Sequence, residues 1–304
     1  MRIQFLHIGI AKLCGWFGLT RQAYYKDGWK GINESIEEDL LLSEVTMIRK
    51  NHKRMGTRKL YDKIQPFMIE HQIKMGRDAL NELLSSNHML VRKRKRQVKT
   101  TQSHHWLRKY SNLIHGFTPT APNQLWVSDI TYWKINNNNV YISFITDAFS
   151  RKVVGHHVAK TLETVETIQA LKMAFTDFSK ASENLSSLIH HSDRGVQYCS
   201  SDYVNLLKDN HVRISMTENG DPLENAIAER LNGILKDEYL NDSNVKTIAD
   251  AKIVLSQAVY LYNEDRPHMS IGNLYPSQVH EQCLNTERLW KNYYKKIPII
   301  VNQC

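Results

Sequence analysis

From residue 125 onward, short runs of β-branched and aromatic residues alternate with turn residues. Residues 125–133, 140–147 and 153–159 read as three strands, because such side chains fill a pleated, half-buried surface. The breaks at 136–139 and 148–152 are short enough for hairpins, so the three form an antiparallel meander. The apolar period then lengthens. Val165, Ile168, Leu171, Ala174 and Phe175 recur at helical spacing within 162–180. Two further strands, 188–193 and 212–216, flank a helix at 201–207. A helix is expected to open at Asp221, a good N-cap, with Pro222 at its first position and Glu224 completing a capping box. Ala251, Val254, Leu255, Ala258, Leu261 and Tyr262 share one face of a last helix over 248–263. The order βββαβαβα predicts a mixed sheet with helices, an α/β fold.

The first 124 residues lack strand patterns. Residues 6–27 read as two short helices round a glycine-containing turn, with Thr20 capping the second at 21–26. This resembles a helix-turn-helix, and a plain helical hairpin also fits. Ile36, Leu40, Leu41, Val45 and Ile48 line one side of a helix over 34–52. Another begins at Thr57 and is expected to be interrupted near Pro66, and a third begins at Gly76. The expected division is 1–32 and 33–91 as small all-α DNA-binding units, 92–124 as a basic linker, 125–245 as the core, and 246–304 as a C-terminal helical region.

Charge sharpens this division. Residues 1–124 hold 22 Lys and Arg against 10 Asp and Glu, whereas residues 125–304 hold 18 against 21. The whole surplus lies in the first part, and no acidic residue occurs between Glu82 and Asp129. Such asymmetry points to a polyanion, most often nucleic acid. Arg92, Lys93, Arg94, Lys95 and Arg96 form the densest run, and Arg21, Arg58, Lys59 and Arg77 are further candidate phosphate contacts. Arg266 and His268 either meet phosphate or act as a structural stop after the last helix. The four cysteines form no Cys-x-x-Cys pair, no apolar run reaches membrane length, and the N-terminus lacks a signal-peptide pattern. The expected setting is therefore the cytoplasm.

The candidate chemistry is carboxylate chemistry. Asp129 lies in the first strand, Asp193 ends the fourth, and Glu229 sits on the helix after the fifth. Strands one and four can be neighbours in this order, so the two Asp residues can meet at one sheet edge with Glu229 facing them. Three hard oxygen ligands suit Mg²⁺ or Mn²⁺, and a pair of such ions suits in-line phosphoryl transfer. Asn225, Glu229 and Lys236 recur at offsets of four and seven on one helix face, which makes Lys236 a candidate phosphate contact. His191 shares a strand face with Asp193, and both an active-site and a structural role fit it. Asp147, beside Ser150 and Arg151, reads as turn-stabilising. Gly195 is expected to permit a special backbone conformation.

Several motifs together resemble a known family. They are Trp126-Val-Ser-Asp129-Ile-Thr-Tyr, Asp147-Ala-Phe-Ser-Arg-Lys-Val-Val-Gly155, His191-Ser-Asp193-Arg-Gly195-Val-Gln197-Tyr198, Glu224-Asn225-Ala-Ile-Ala-Glu229 and Tyr262-Asn-Glu-Asp-Arg266-Pro267-His268. The chain resembles the second-frame catalytic subunit of bacterial insertion-sequence DDE transposases with a retroviral-integrase-like core. That resemblance implies a ribonuclease-H-like fold and Asp129, Asp193 and Glu229 as a metal-binding catalytic triad. It implies cleavage at transposon ends and strand transfer by 3′-hydroxyl attack. It further implies double-stranded terminal repeats and target DNA as partners, a homodimer or larger assembly on a bacterial nucleoid, and an upstream-frame DNA-binding product as a possible fusion. A non-catalytic regulator derived from a transposase, or a ribonuclease-H-like nuclease, are the alternatives.

Overall fold

The computed structural model describes residues 8–92, 106–136, 138–179, 187–218, 225–287 and 289, with only the backbone at 27–35, 177 and 179. The chain divides into two compact units, Met1–Asn51 with Met55–Val91, and His52–Arg54 with Arg92–Cys304.

The first unit is helical: α1 (Ile10–Trp16), α2 (Arg21–Asn51), α3 (Thr57–Glu70) and α4 (Arg77–Ser86). Thr20 caps α2 as expected, its Oγ1 accepting from the Ala23 amide at 3.0 Å. However, the helices expected at 21–26 and 34–52 are one. No proline lies between Arg21 and Asn51. The glycines at 28 and 31 each cost about 1 kcal/mol, which weakens a helix without ending it. The boundary expected at residue 32 therefore falls inside α2. Helix α3 likewise runs through Pro66 without a break. An interior proline costs about 3 kcal/mol. Leu60, Ile64 and Met68 are all buried on one face of α3, at roughly 1.5–3 kcal/mol each, and hold both halves in register. They pack with Leu41, Val45, Leu80 and Leu84.

The second unit holds a five-stranded sheet ordered β3-β2-β1-β4-β5. Its strands are β1 (Leu125–Ile135), β2 (Asn138–Asp147), β3 (Val153–Ala159), β4 (Ile189–Ser192) and β5 (Arg213–Met216). The meander β1–β2–β3 is antiparallel, whereas β4 and β5 run parallel to β1. This is the mixed α/β sheet expected from the sequence. Alternate residues of β1 face opposite sides, so two cores form. Trp126 packs with residues of α5 (Thr164–Ser179), α6 (Val196–Cys199) and α7 (Ser201–Asp209). On the other side, Trp133 and Ile135 pack with α8 (Ala226–Leu235) and α9 (Ile248–Glu264). Helix α9 is thus part of the core. After it comes α10 (Pro276–Gln282).

Residues 106–124, expected as part of a linker, are instead built into this unit. Leu107 and Tyr110 pack on one core, and Leu113 and Ile114 on a cluster containing Val127 and Ile189. The Met216 amide donates to the Ser111 carbonyl, and the Leu113 amide to Ser215 Oγ at 2.9 Å. Apolar residues spaced along 107–114 anchor an extended segment beside β5. Lys93, Arg94, Lys95 and Arg96 lie outside the described residues.

Candidate active site

The parallel pairing of β1 with β4 sets the site. Its register is Leu125 with Ile189, Trp126 with His190 and Val127 with His191. Asp129 lies two residues further along β1, and Asp193 lies two residues beyond His191, just past the end of β4. Asp129 shares its side of β1 with Val127, the side that α8 covers.

Helix α8 brings Glu229. The helix begins at Ala226, with Asn225 at its N-cap. The cap expected from Asp221, Pro222 and Glu224 lies outside the described residues. Two asparagines tie the helix to β1. Asn225 Nδ2 donates to the Ser128 carbonyl at 3.0 Å, and Asn232 Nδ2 donates to Asp129 Oδ2 at 2.7 Å. Glu229 lies between them on the same helical stripe, four residues after one and three before the other. It therefore faces the strand that carries Asp129. Among the described residues no three of His, Cys, Asp and Glu are gathered closely enough to hold a metal ion as they stand.

The surroundings fit a hard cation that keeps water ligands. The donors are carboxylate oxygens, which Mg²⁺ and Mn²⁺ favour. The side-chain oxygens of Asn225 and Asn232 and the Tyr198 hydroxyl are buried without a hydrogen-bond partner among the described residues. Buried polar atoms of this kind are normally satisfied by water or an ion. Burial pushes the Tyr198 hydroxyl well above its ordinary pKa, and Tyr203, Asp129 and Asp193 push the same way. The phenol therefore stays protonated.

Asp193 is fixed by its own loop. The Gly195 amide donates to Asp193 Oδ1 at 3.0 Å. Gly195 has φ −67°, which any residue adopts, so the expected backbone reason for glycine does not hold. The reason is space, because a Cβ there would lie 3.0 Å from the same Oδ1. His191 is fully buried, and its Nδ1 lies 2.9 Å from Ser215 Oγ, joining β4 to β5 beneath Asp193. On the opposite face, His190 Nε2 lies 2.7 Å from Ser128 Oγ and 3.0 Å from the Tyr203 hydroxyl. Burial, aided by neighbouring His191, lowers the His190 pKa to about 3, so this network is neutral. Asp147 is turn-stabilising as expected: its Oδ1 accepts from the Ser150 amide and hydroxyl at 2.7 Å, and its Oδ2 from the Asn123 amide at 2.8 Å.

Lys236 ends α8 on the same stripe. Its Nζ donates to Thr131 Oγ1 at 3.3 Å and sits 4.2 Å from the Tyr132 ring centroid. Thr131 is two residues along β1 from Asp129, on the same side of the strand. Arg266 differs from the phosphate reading. It is 1% exposed and gripped by Glu238, with Nε and Nη2 donating to Oε2 and Oε1 at 2.7 and 2.6 Å. The structural alternative holds, because a guanidinium buried and paired in this way presents no donor at the surface. His268 is also local, its Nδ1 accepting from the Ser270 amide at 3.3 Å. Arg21, Arg58, Arg77 and Arg92 are exposed, with Arg77 beside Asp78, and Lys59 is half-buried.

Asn232 touches the candidate site without having been singled out by the sequence. The signal was present, since it falls on the stripe of Asn225 and Glu229. Asn232→Ala is expected to lower activity about 10–100-fold, the usual cost of losing a partner that orients a ligating group. A single-turnover rate measurement checks this, and an unchanged rate would remove Asn232 from the site.

Models of the integrase core domain match residues 119–222 and 210–276. The uncharacterized 31 kDa protein of insertion element IS600 from Shigella sonnei is 31% identical over 277 residues, covering 89% of this chain and 98% of that protein. The transposase of element IS629 from the same organism is 27% identical over 277 residues, covering 89% and 90%. A putative transposase of IS986/IS6110 from Mycobacterium tuberculosis is 32% identical over 165 residues, covering 54% and 59%. Among solved structures, the HTLV-2 integrase catalytic core in complex with magnesium aligns at 21% identity and a TM-score of 0.41, covering 53% of this chain and 97% of that one. The simian T-cell lymphotropic virus intasome aligns at 19% identity and a TM-score of 0.47, covering 81% and 76%.

Proposed function

The chain belongs to the insertion-sequence DDE transposases built on an integrase core, and we propose that Asp129, Asp193 and Glu229 are the carboxylates with which it transfers phosphoryl groups. It is a DNA transposase, a polynucleotidyl transferase. What supports the assignment is the parallel pairing of β1 with β4, which runs to Val127 and His191, two residues before Asp129 and Asp193, together with the α8 stripe that carries Glu229 between Asn225 and Asn232, both bonded to β1.

The three side chains would hold Mg²⁺ or Mn²⁺, as a pair of ions. When bound, these would polarise the scissile phosphodiester and make the attacking oxygen a better nucleophile. The protein's own contribution is placement. Asn232 orients the Asp129 carboxylate through Oδ2, and the Gly195 amide orients Asp193 through Oδ1. Asn225 fastens the start of α8 to β1. Both of these orienting donors are neutral amides.

In the first reaction, water attacks at the transposon end and the 3′-hydroxyl leaves. In the second, that hydroxyl attacks a target phosphodiester: its oxygen forms the new bond to phosphorus, its proton passes to solvent, and the target's own 3′-oxygen leaves. Both are in-line displacements at one site. The partners are the double-stranded terminal repeats and the target duplex. Two ends must meet, so the protein would act as a homodimer or larger assembly. We take the chain as the second-frame catalytic product, with an upstream-frame DNA-binding product as fusion or partner. The basic run from Arg92 to Arg96 and the exposed Arg21, Arg58 and Arg77 would contact phosphates.

Incubating the full chain with end-containing oligonucleotides and Mn²⁺ should give joined products. Nicks without joining would contradict strand transfer. Lys236 would meet the backbone of the transposon end. Lys236→Ala should weaken end binding and strand transfer while leaving thermal unfolding unchanged. The slope of log affinity against log salt should fall by about 1, the signature of one lost phosphate contact. Unchanged strand transfer in that variant would sink the phosphate role.

A further inference from the structure

The backbone changes character at Lys236. Helix α8 passes directly into a π turn, Lys236–Leu240, in which the Asn241 amide reaches the Lys236 carbonyl at 2.9 Å, five residues back. Such wide turns are rare and concentrate at functional sites. Two side chains of this one act as anchors at its far end. Leu240 is fully buried in the core with Leu235 and Tyr262. Glu238 is taken by Arg266.

The Tyr262–His268 segment has no share in the chemistry described above, yet three of its polar members close on three different elements. Asn263 pairs with the β3 backbone, its Oδ1 accepting from the Val153 amide and its Nδ2 donating to the Val153 carbonyl, both at 2.9 Å. Glu264 accepts from the Ser277 hydroxyl of α10. Arg266 reaches the π turn. Its guanidinium makes two parallel hydrogen bonds to the two Glu238 oxygens, the geometry that gives direction as well as strength. Burial works against its charge, and Glu238 more than offsets this, so the Arg266 pKa is raised.

From this geometry we propose that Arg266 is a positioning residue for the reaction: its fork on Glu238 fixes the π turn and thereby holds Lys236 against Thr131, two residues along β1 from Asp129, where it meets the DNA end. The inference rests on the reading of Lys236 as a phosphate contact. Its physical basis is directional. Lys236 is the first residue of the π turn and Glu238 the third, so pulling Glu238 sets the rotation of the turn that Lys236 begins. Lysine has a long, flexible stem, and its ammonium takes a defined place over Tyr132 and against Thr131 only where the backbone aims it. An arginine one helix away does the aiming, and Arg cannot be replaced by Lys there because only a planar fork bonds both oxygens.

A double-mutant cycle in the full chain tests this. One arm is the neutral pair Arg266→Gln with Glu238→Gln, which keeps amide hydrogen bonding and leaves no unpaired buried charge. The other arm is Lys236→Ala. Strand transfer and the salt slope of end binding are read on end-containing oligonucleotides. The neutral pair is expected to lose about tenfold in strand transfer and to lose the same unit of salt slope as Lys236→Ala. In the Lys236→Ala background it should cost nothing further. Independent, additive losses would overturn the positioning role and leave the Lys236 contact standing. If Lys236→Ala alone changes neither readout, the Lys236 reading fails, and the inference with it. Should the neutral pair not fold, Arg266→Lys serves in the same cycle. It keeps the charge but cannot make the fork, so the expected loss is smaller and again absent without Lys236.

Discussion

Asp129→Asn, Asp193→Asn and Glu229→Gln are each expected to lose about a thousandfold or more in both end cleavage and strand transfer. The substitutions are nearly isosteric. At position 129 the new amide oxygen can still accept from Asn232, and at position 193 from the Gly195 amide. What is lost is the negative charge that would hold the cation. Such an ion supplies several kcal/mol of transition-state stabilisation, and each 1.36 kcal/mol is tenfold in rate. Single-turnover rates on pre-nicked and intact end duplexes measure the two steps separately. Losing both is the expected outcome, because one site serves both displacements. A variant that lost cleavage and kept joining would separate the sites. Melting temperatures should barely move, since all three carboxylates are partly exposed.

The second large effect concerns the scaffold. Gly155 lies on β3, where α5 crosses very closely. A Cβ built there would stand 2.2 Å from the Ala170 carbonyl oxygen and 3.1 Å from Ala174 Cβ. The nearest obstacle is helix backbone, so no side-chain rotation can relieve it. Gly155→Ala should therefore destabilise the fold by about 3 kcal/mol, the upper end of ordinary overpacking costs. At this chain size that corresponds to a melting temperature lowered by roughly 6–12 °C. A shift of only a degree or two would mean that α5 moves aside freely. Ala174, itself fully buried, shows the same economy from the helix side.

Much of the sheet was legible from the sequence. Period-two runs of Val, Ile and aromatic residues marked the strands, and short Asn- and Ser-containing breaks marked the hairpins. Asp147 was legible too, because its partner Ser150 is three residues away and a tight turn closes locally. The misreadings have a common physical origin. For Arg266 the sequence left a phosphate contact and a structural stop both open, because its partner Glu238 lies 28 residues earlier on another element. Gly195 was assigned to backbone freedom, whereas its absent side chain leaves room for a carboxylate two residues before it. Residues 106–124 have weak periodicity, because an extended segment lying beside a sheet edge needs only a few anchors. The continuity of α2 and of α3 was hidden because Gly and Pro mark local cost, and tertiary burial decided the outcome. Asn232 falls on the stripe of Asn225 and Glu229, and the neighbouring strand shows that this stripe faces inward.

The most direct test of the carboxylate assignment is anomalous scattering from crystals of the full chain bound to transposon-end DNA in Mn²⁺. The expected result is one or two peaks, about 4 Å apart if there are two. Carboxylate oxygens of Asp129, Asp193 and Glu229 should each lie about 2.0–2.2 Å from a peak. Manganese bound elsewhere on the chain, with those three side chains still turned away from it and from the scissile phosphate, would contradict the assignment.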